Sequence, residues 1–142
     1  MKNRRMLILV IAILVGIIAF VSIGTSYKSK KVIDILRKNE ISFIEIYDDY
    51  INDISRYHVI DGDKGISEIY NVILSGNKNK TMQSVNDSPV NVDGKLTKIV
   101  LTDSSNEEVS LFTYQGNDGD YYIEKPYEGI YKISVQGYEN LK

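Results

Sequence analysis

The chain predicts an α+β protein: an N-terminal transmembrane helix, then a two-layer domain with an antiparallel β-sheet of about five strands and one packed α-helix. Three observations lead there. One long apolar run opens the chain. One segment has helical apolar periodicity, and it is followed by short strand-like segments joined by tight turns. Strands joined by such turns must run antiparallel, and a single apolar helix stripe then covers one sheet face.

The apolar run from Met6 to Ile23 has 18 residues, no charge and one polar side chain, Ser22. As a helix it is about 27 Å long, close to the hydrocarbon core of a bilayer. Helical geometry is required there, because lipid offers no partner for backbone N–H and C=O groups. The run exceeds the usual apolar region of a cleaved signal, which favours a retained anchor. The small pairs Ser22/Gly24 and Gly24/Ser26 keep cleavage and secretion as the alternative.

Lys2, Arg4 and Arg5 precede the run and Lys28, Lys30 and Lys31 follow it, so the flanking charges nearly balance. The short tail before the first apolar segment places the domain outside a single-pass cell membrane protein. The expected organisation is 1–26 as anchor or signal, 27–39 as a linker or short helix, and 40–142 as the extracytoplasmic domain.

Ile41 to Tyr47 (ISFIEIY) carries the Ile, Phe and Tyr content of a strand and is apolar on both faces, as an inner strand is. Residues 48–55 form an acidic connection, and 56–60 a second strand paired with the first. Asp61-Gly62-Asp63 makes a turn, with Asp63 as the helix cap. The helix runs from Gly65 to about Leu74, its stripe formed by Ile66, Ile69, Tyr70, Ile73 and Leu74.

Gly76 and Asn77 stop it, and 77–94, broken by Pro89, reads as a loop. Strands follow at 96–103, 109–114, 120–124 and 130–135. Asn117-Asp118-Gly119 is a hairpin signal.

The domain is modestly acidic: after Lys2, Arg4 and Arg5 are set aside, 14 basic and 19 acidic side chains remain. No basic patch suits phosphates, so nucleic acid is not an expected partner. With no cysteine, disulfides, thiolate metal sites and a Cys nucleophile are excluded.

The single histidine, His58, has no evident catalytic companion. Asp61-Gly62-Asp63 with Glu68 resembles part of a calcium loop, but Val72 stands where the bidentate Glu belongs. Glu40/Glu45 and Glu107/Glu108 are not singled out as an acid–base pair. No cofactor, metal or enzymatic activity is expected.

Tyrosine is the compositional excess, with 11 residues and no Trp. Six lie from Tyr114 onward, and this residue suits recognition surfaces as well as strands. Alternation puts Tyr121 with Ile123 on one face and Tyr122 with Glu124 on the other.

The segment Tyr121-Tyr122-Ile123-Glu124-Lys125-Pro126-Tyr127-Glu128-Gly129-Ile130-Tyr131 resembles the closing signature, roughly YYIE-x-PY-x-GIY, of a bacterial family of small exported domains of unknown function. The family pattern often has Gln where Lys125 and Glu128 stand. The resemblance implies a Gram-positive, membrane-anchored or secreted protein and implies no activity. Physically, Pro126 removes a ladder donor, Gly129 permits a bend, and Tyr127 and Tyr131 can pack over the turn.

The expected function is a non-enzymatic envelope binding module, with Tyr122, Glu124, Tyr127 and Tyr131 as candidate binding residues and an envelope protein as candidate partner. The alternatives are a regulatory or sensory subunit of a membrane complex, with Ala12 and Gly16 allowing close helix contact, and an envelope hydrolase.

Overall fold

The computed structural model describes residues 33–90 and 92–141. The expected membrane helix lies outside the described residues; among these, no helix is long and apolar enough to cross a membrane. The described elements are β1 (Ile41–Asp49), β2 (Asp53–Ile60), α1 (Asp63–Leu74), β3 (Asn77–Lys78), β4 (Val92–Asp103), β5 (Glu108–Gly116), β6 (Tyr121–Lys125), β7 (Gly129–Ile133) and α2 (Val135–Glu139), with a short 3-10 turn (Lys38–Glu40) before β1.

All strands join one antiparallel sheet in the order β2-β1-β4-β5-β6-β7-β3. The sheet thus has seven strands, against the five or so expected. Part of the excess is β3, two residues hidden in what reads as a loop, which pair Asn77 with Lys132 and Lys78 with Tyr131. Two polar residues carry no periodicity, so no sequence pattern marks them as a strand.

The path of the chain follows from this order. β2 and β3 are opposite edges, and α1 joins them across one face of the sheet. Residues 79–90 then return across the other face as a strap before β4. The sheet is therefore covered on both sides, by helix on one and by irregular chain on the other.

The helix face holds the main core. Ile44, Ile46, Ile99, Leu101, Leu111, Ile123, Tyr131 and Ile133 from the sheet meet Ile66, Ile69 and Ile73 of α1 and Tyr138 of α2. Each buried Ile or Leu contributes about 1.5–3 kcal/mol of transfer free energy. The strap face holds a smaller cluster of Leu96, Phe112, Tyr114, Tyr122 and Ile130, with Met82 of the strap packed on it.

Two local expectations are corrected. The cap of α1 is Gly62, with no side-chain cap bond, and Asp63 is the first helical residue. Its carboxylate there still favours the helix through the N-terminal dipole. The chain after Ile133 does not continue as a strand: Ser134 accepts a bond from Gly137 N–H (3.0 Å) and starts α2.

The stretch before β1 is irregular chain from residue 33 to the 3-10 turn. Ile33 is buried, with Ile35 and Leu36 packed beside it. Lys125 Nζ donates to the Asp34 carbonyl and ties this chain to the sheet.

Candidate functional site

The β6–β7 hairpin carries the YYIE-x-PY-x-GIY signature, and nearly every residue in it holds something in place. Glu124 is only 3% exposed. One of its carboxylate oxygens accepts from Ser84 Oγ (2.6 Å) and the other from the Tyr114 hydroxyl (2.8 Å). Ser84 Oγ in turn accepts from the Tyr127 N–H (3.1 Å). A buried carboxylate is tolerable when donors satisfy it, and here those donors come from the strap and from β5. Burial, then the bond to Glu124, pushes the Tyr114 hydroxyl far above the usual tyrosine range.

Tyr127 adopts φ 60°, in the left-handed region, where a non-glycine residue is uncommon. The bend expected at Gly129 is thus made at Tyr127, whose hydroxyl also donates to Asp87 of the strap (2.8 Å). Gly129 instead leaves room for a neighbouring side chain: a Cβ there would lie 2.8 Å from Lys78 Cε, so the lysine tip would have to shift. Through that gap Lys78 Nζ reaches the Glu128 carbonyl (2.8 Å). Lys125 pairs with Glu128 (2.6 Å) besides anchoring Asp34.

The four candidate binding residues are consequently spread over three surroundings. Tyr122 and Glu124 are buried on the strap face, Tyr131 is buried on the helix face, and Tyr127 is 64% exposed in the turn. Strand alternation separates them, because neighbours along a strand point to opposite faces. Tyr131 therefore lies under the helix face rather than over the turn. Tyr122 donates to Asp118 (2.5 Å), and burial followed by that bond pushes its hydroxyl up to about 12.

A recessed surface exists elsewhere. A groove of about 500 Å³ is lined by Asp48, Arg56, Gly94, Lys95, Thr97, Gln115, Tyr121 and Tyr138. That volume suits a small-molecule ligand. Alternation brings Asp48, Arg56, Thr97, Gln115 and Tyr121 to the helix face, and Tyr138 of α2 forms one wall; no residue of α1 lines it.

Two sheet irregularities meet at this groove. The β1–β2 register shifts between Tyr47 and Asp49, and the β4–β5 register shifts between Asp93 and Thr97. Gly94, at φ 85°, supplies the backbone conformation of the second. Bulges bend a strand and re-aim side chains, and they gather near functional surfaces.

The groove has several polar lining residues, and they are incompletely satisfied among the described residues. Asp48 Oδ1 is covered yet has no hydrogen-bond partner; His58 Nδ1 stands 3.9 Å away, too far for one. The Asp48 side chain as a whole keeps 39% of its surface exposed. Thr97 donates to the Asp48 carbonyl (3.3 Å), and Thr113 beside it in the ladder has an unpaired, fully buried hydroxyl. The Tyr121 and Tyr138 rings meet at a 34° tilt with centroids 4.5 Å apart.

His58 lies on edge strand β2 with only this distant carboxylate. Among the described residues, no cluster of three or more His, Asp or Glu side chains is placed to hold a metal ion.

Sequence reasoning missed the groove. Its residues come from β1, β2, β4, β5, β6 and α2, with no common spacing, and Gly94, at the β4 bulge, falls in the stretch that reads as a loop.

The fold and site define a small α+β module: a seven-stranded antiparallel sheet with α1 and α2 on one face and the strap on the other, and a groove with charged lining residues at its bulged end. The chain belongs to a family described as a domain of unknown function (DUF5300), whose model matches residues 29–132. The match includes the whole signature hairpin and all of the groove except Tyr138. No curated protein and no solved structure matches the chain.

Proposed function

We propose that this protein is a non-enzymatic binding module, held at the outer surface of a cell membrane by its N-terminal apolar run, and that the groove is its binding site. The observation that carries the binding part is the groove itself. Two bulges lie at it, and it combines a carboxylate, two cations, an amide and a pair of adjoining tyrosine rings. One oxygen of that carboxylate lacks a partner. Around Glu124 in the hairpin, by contrast, both carboxylate oxygens are paired.

The same lining argues for binding over hydrolysis. Carboxylate chemistry on glycosides uses two acids at a set separation, and the described lining presents Asp48 with cations and an amide around it. The charge-free run from Met6 to Ile23 supports membrane attachment, and the short basic tail before it supports an external domain.

Two measurements test this reading. Because the chain has no cysteine, Ser104→Cys gives a single thiol for a membrane-impermeant maleimide. Labelling in intact cells supports an external domain; labelling only after lysis overturns it. For binding, NMR of the full chain in micelles is recorded against soluble amino acids, peptides and sugars. Shifts concentrated at Thr97, Gln115 and Tyr121 support the groove as a site, and no shift with any of them removes it.

A further inference from the structure

Resting on the binding reading, we infer that the groove takes a zwitterionic ligand of the amino-acid class: a free amino acid or short peptide with a carboxylate and an ammonium. The lining divides by charge. Arg56 and Lys95 supply two cations, and a guanidinium forks onto a carboxylate through two parallel N–H bonds. Asp48 supplies the opposite charge.

Its covered oxygen has no hydrogen bond among the described residues, and its side chain remains partly open. Such a group gains most from a charged donor, since bonds to ionised partners are stronger than neutral ones. An ammonium is that donor.

The remaining lining fits the rest of such a molecule. Gln115 can donate to and accept from a peptide group. The adjoining, tilted rings of Tyr121 and Tyr138 give an apolar surface against which an aliphatic or aromatic side chain can lie. A neutral sugar would use the rings and the amide but would leave the two cations without a counter-charge. An anion alone would face the Asp48 carboxylate with nothing to neutralise it. Only a ligand carrying both signs answers both charges of the lining.

The variants that test this are benign to the fold. Asp48→Asn removes a charge whose covered oxygen makes no hydrogen bond, and Arg56 is exposed on the edge strand. The probes are alanyl-alanine, its N-acetylated form, its C-terminal amide and N,N′-diacetylchitobiose, titrated by NMR into the full chain in micelles.

Alanyl-alanine is expected to shift Thr97, Gln115 and Tyr121, and each capped form to bind about tenfold more weakly. Asp48→Asn should weaken the zwitterion about tenfold and leave the N-acetylated form unchanged. Arg56→Gln should do the same with respect to the amide. Equal binding of capped and free dipeptide overturns the inference. Binding of the disaccharide without the dipeptide overturns it too, yet leaves the groove standing as a binding site. No shift with any of the four overturns both.

Discussion

The β6–β7 hairpin and the bulged end of the sheet make opposite use of polar side chains. In the hairpin, both oxygens of buried Glu124 are paired, Ser84 is bonded twice, and Lys78 and Lys125 reach backbone carbonyls. In the groove, Asp48 Oδ1 goes without a partner among the described residues. The first region resembles a lock: it joins strap, sheet and N-terminal chain. The second keeps polar capacity in reserve. A conspicuous residue pattern can therefore mark what holds a domain together rather than what the domain binds.

That contrast can be broken at the hairpin first. Glu124→Ala strips the Ser84 and Tyr114 hydroxyls of their acceptor and opens a cavity, so a loss of about 3 kcal/mol is expected in urea unfolding. Strap amides around Ser84 should lose exchange protection more than those of α1. A loss below about 0.5 kcal/mol would mean that the network does not hold the strap.

A smaller effect lies at Tyr122. Tyr122→Phe should cost about 1 kcal/mol at neutral pH, the worth of one hydrogen bond. The tyrosine has its hydroxyl raised in the folded state to about 12 from 10.0. Its stabilisation is therefore complete below pH 10 and is lost as pH rises through about 12. The gap between wild type and Tyr122→Phe should narrow across that window in unfolding measured from pH 8 to 12. A constant gap would show that the hydroxyl does not titrate with folding.

The smallest effect is expected in the groove. Asp48→Asn should change stability by less than about 0.5 kcal/mol, as a position without a structural hydrogen bond does. A loss as large as that of Glu124→Ala would reassign Asp48 to the framework.

Much of the fold was legible because periodicity is local. The Ile66/Ile69/Ile73 stripe and the alternation of Tyr121 to Glu124 placed α1 and β6 on the correct faces. Turn chemistry did the same for the β5–β6 connection, where Gly119 takes φ 81°. The positive φ at Tyr127 was not legible, since tyrosine has no intrinsic preference for it; the bonds to Ser84 and Asp87, 43 and 40 residues away, hold it there.

The sequence by itself determined the apolar run from Met6 to Ile23, the alternating strands, the helix stripe and the exclusion of cysteine chemistry, all properties of neighbouring residues. The tertiary structure alone decided that Glu124 would be a buried clasp. It also decided that β3 would close the far edge, and that Asp48, Arg56, Lys95, Gln115 and Tyr121 would face one groove. These depend on pairing register and on two bulges, which bring together side chains that no spacing along the chain connects.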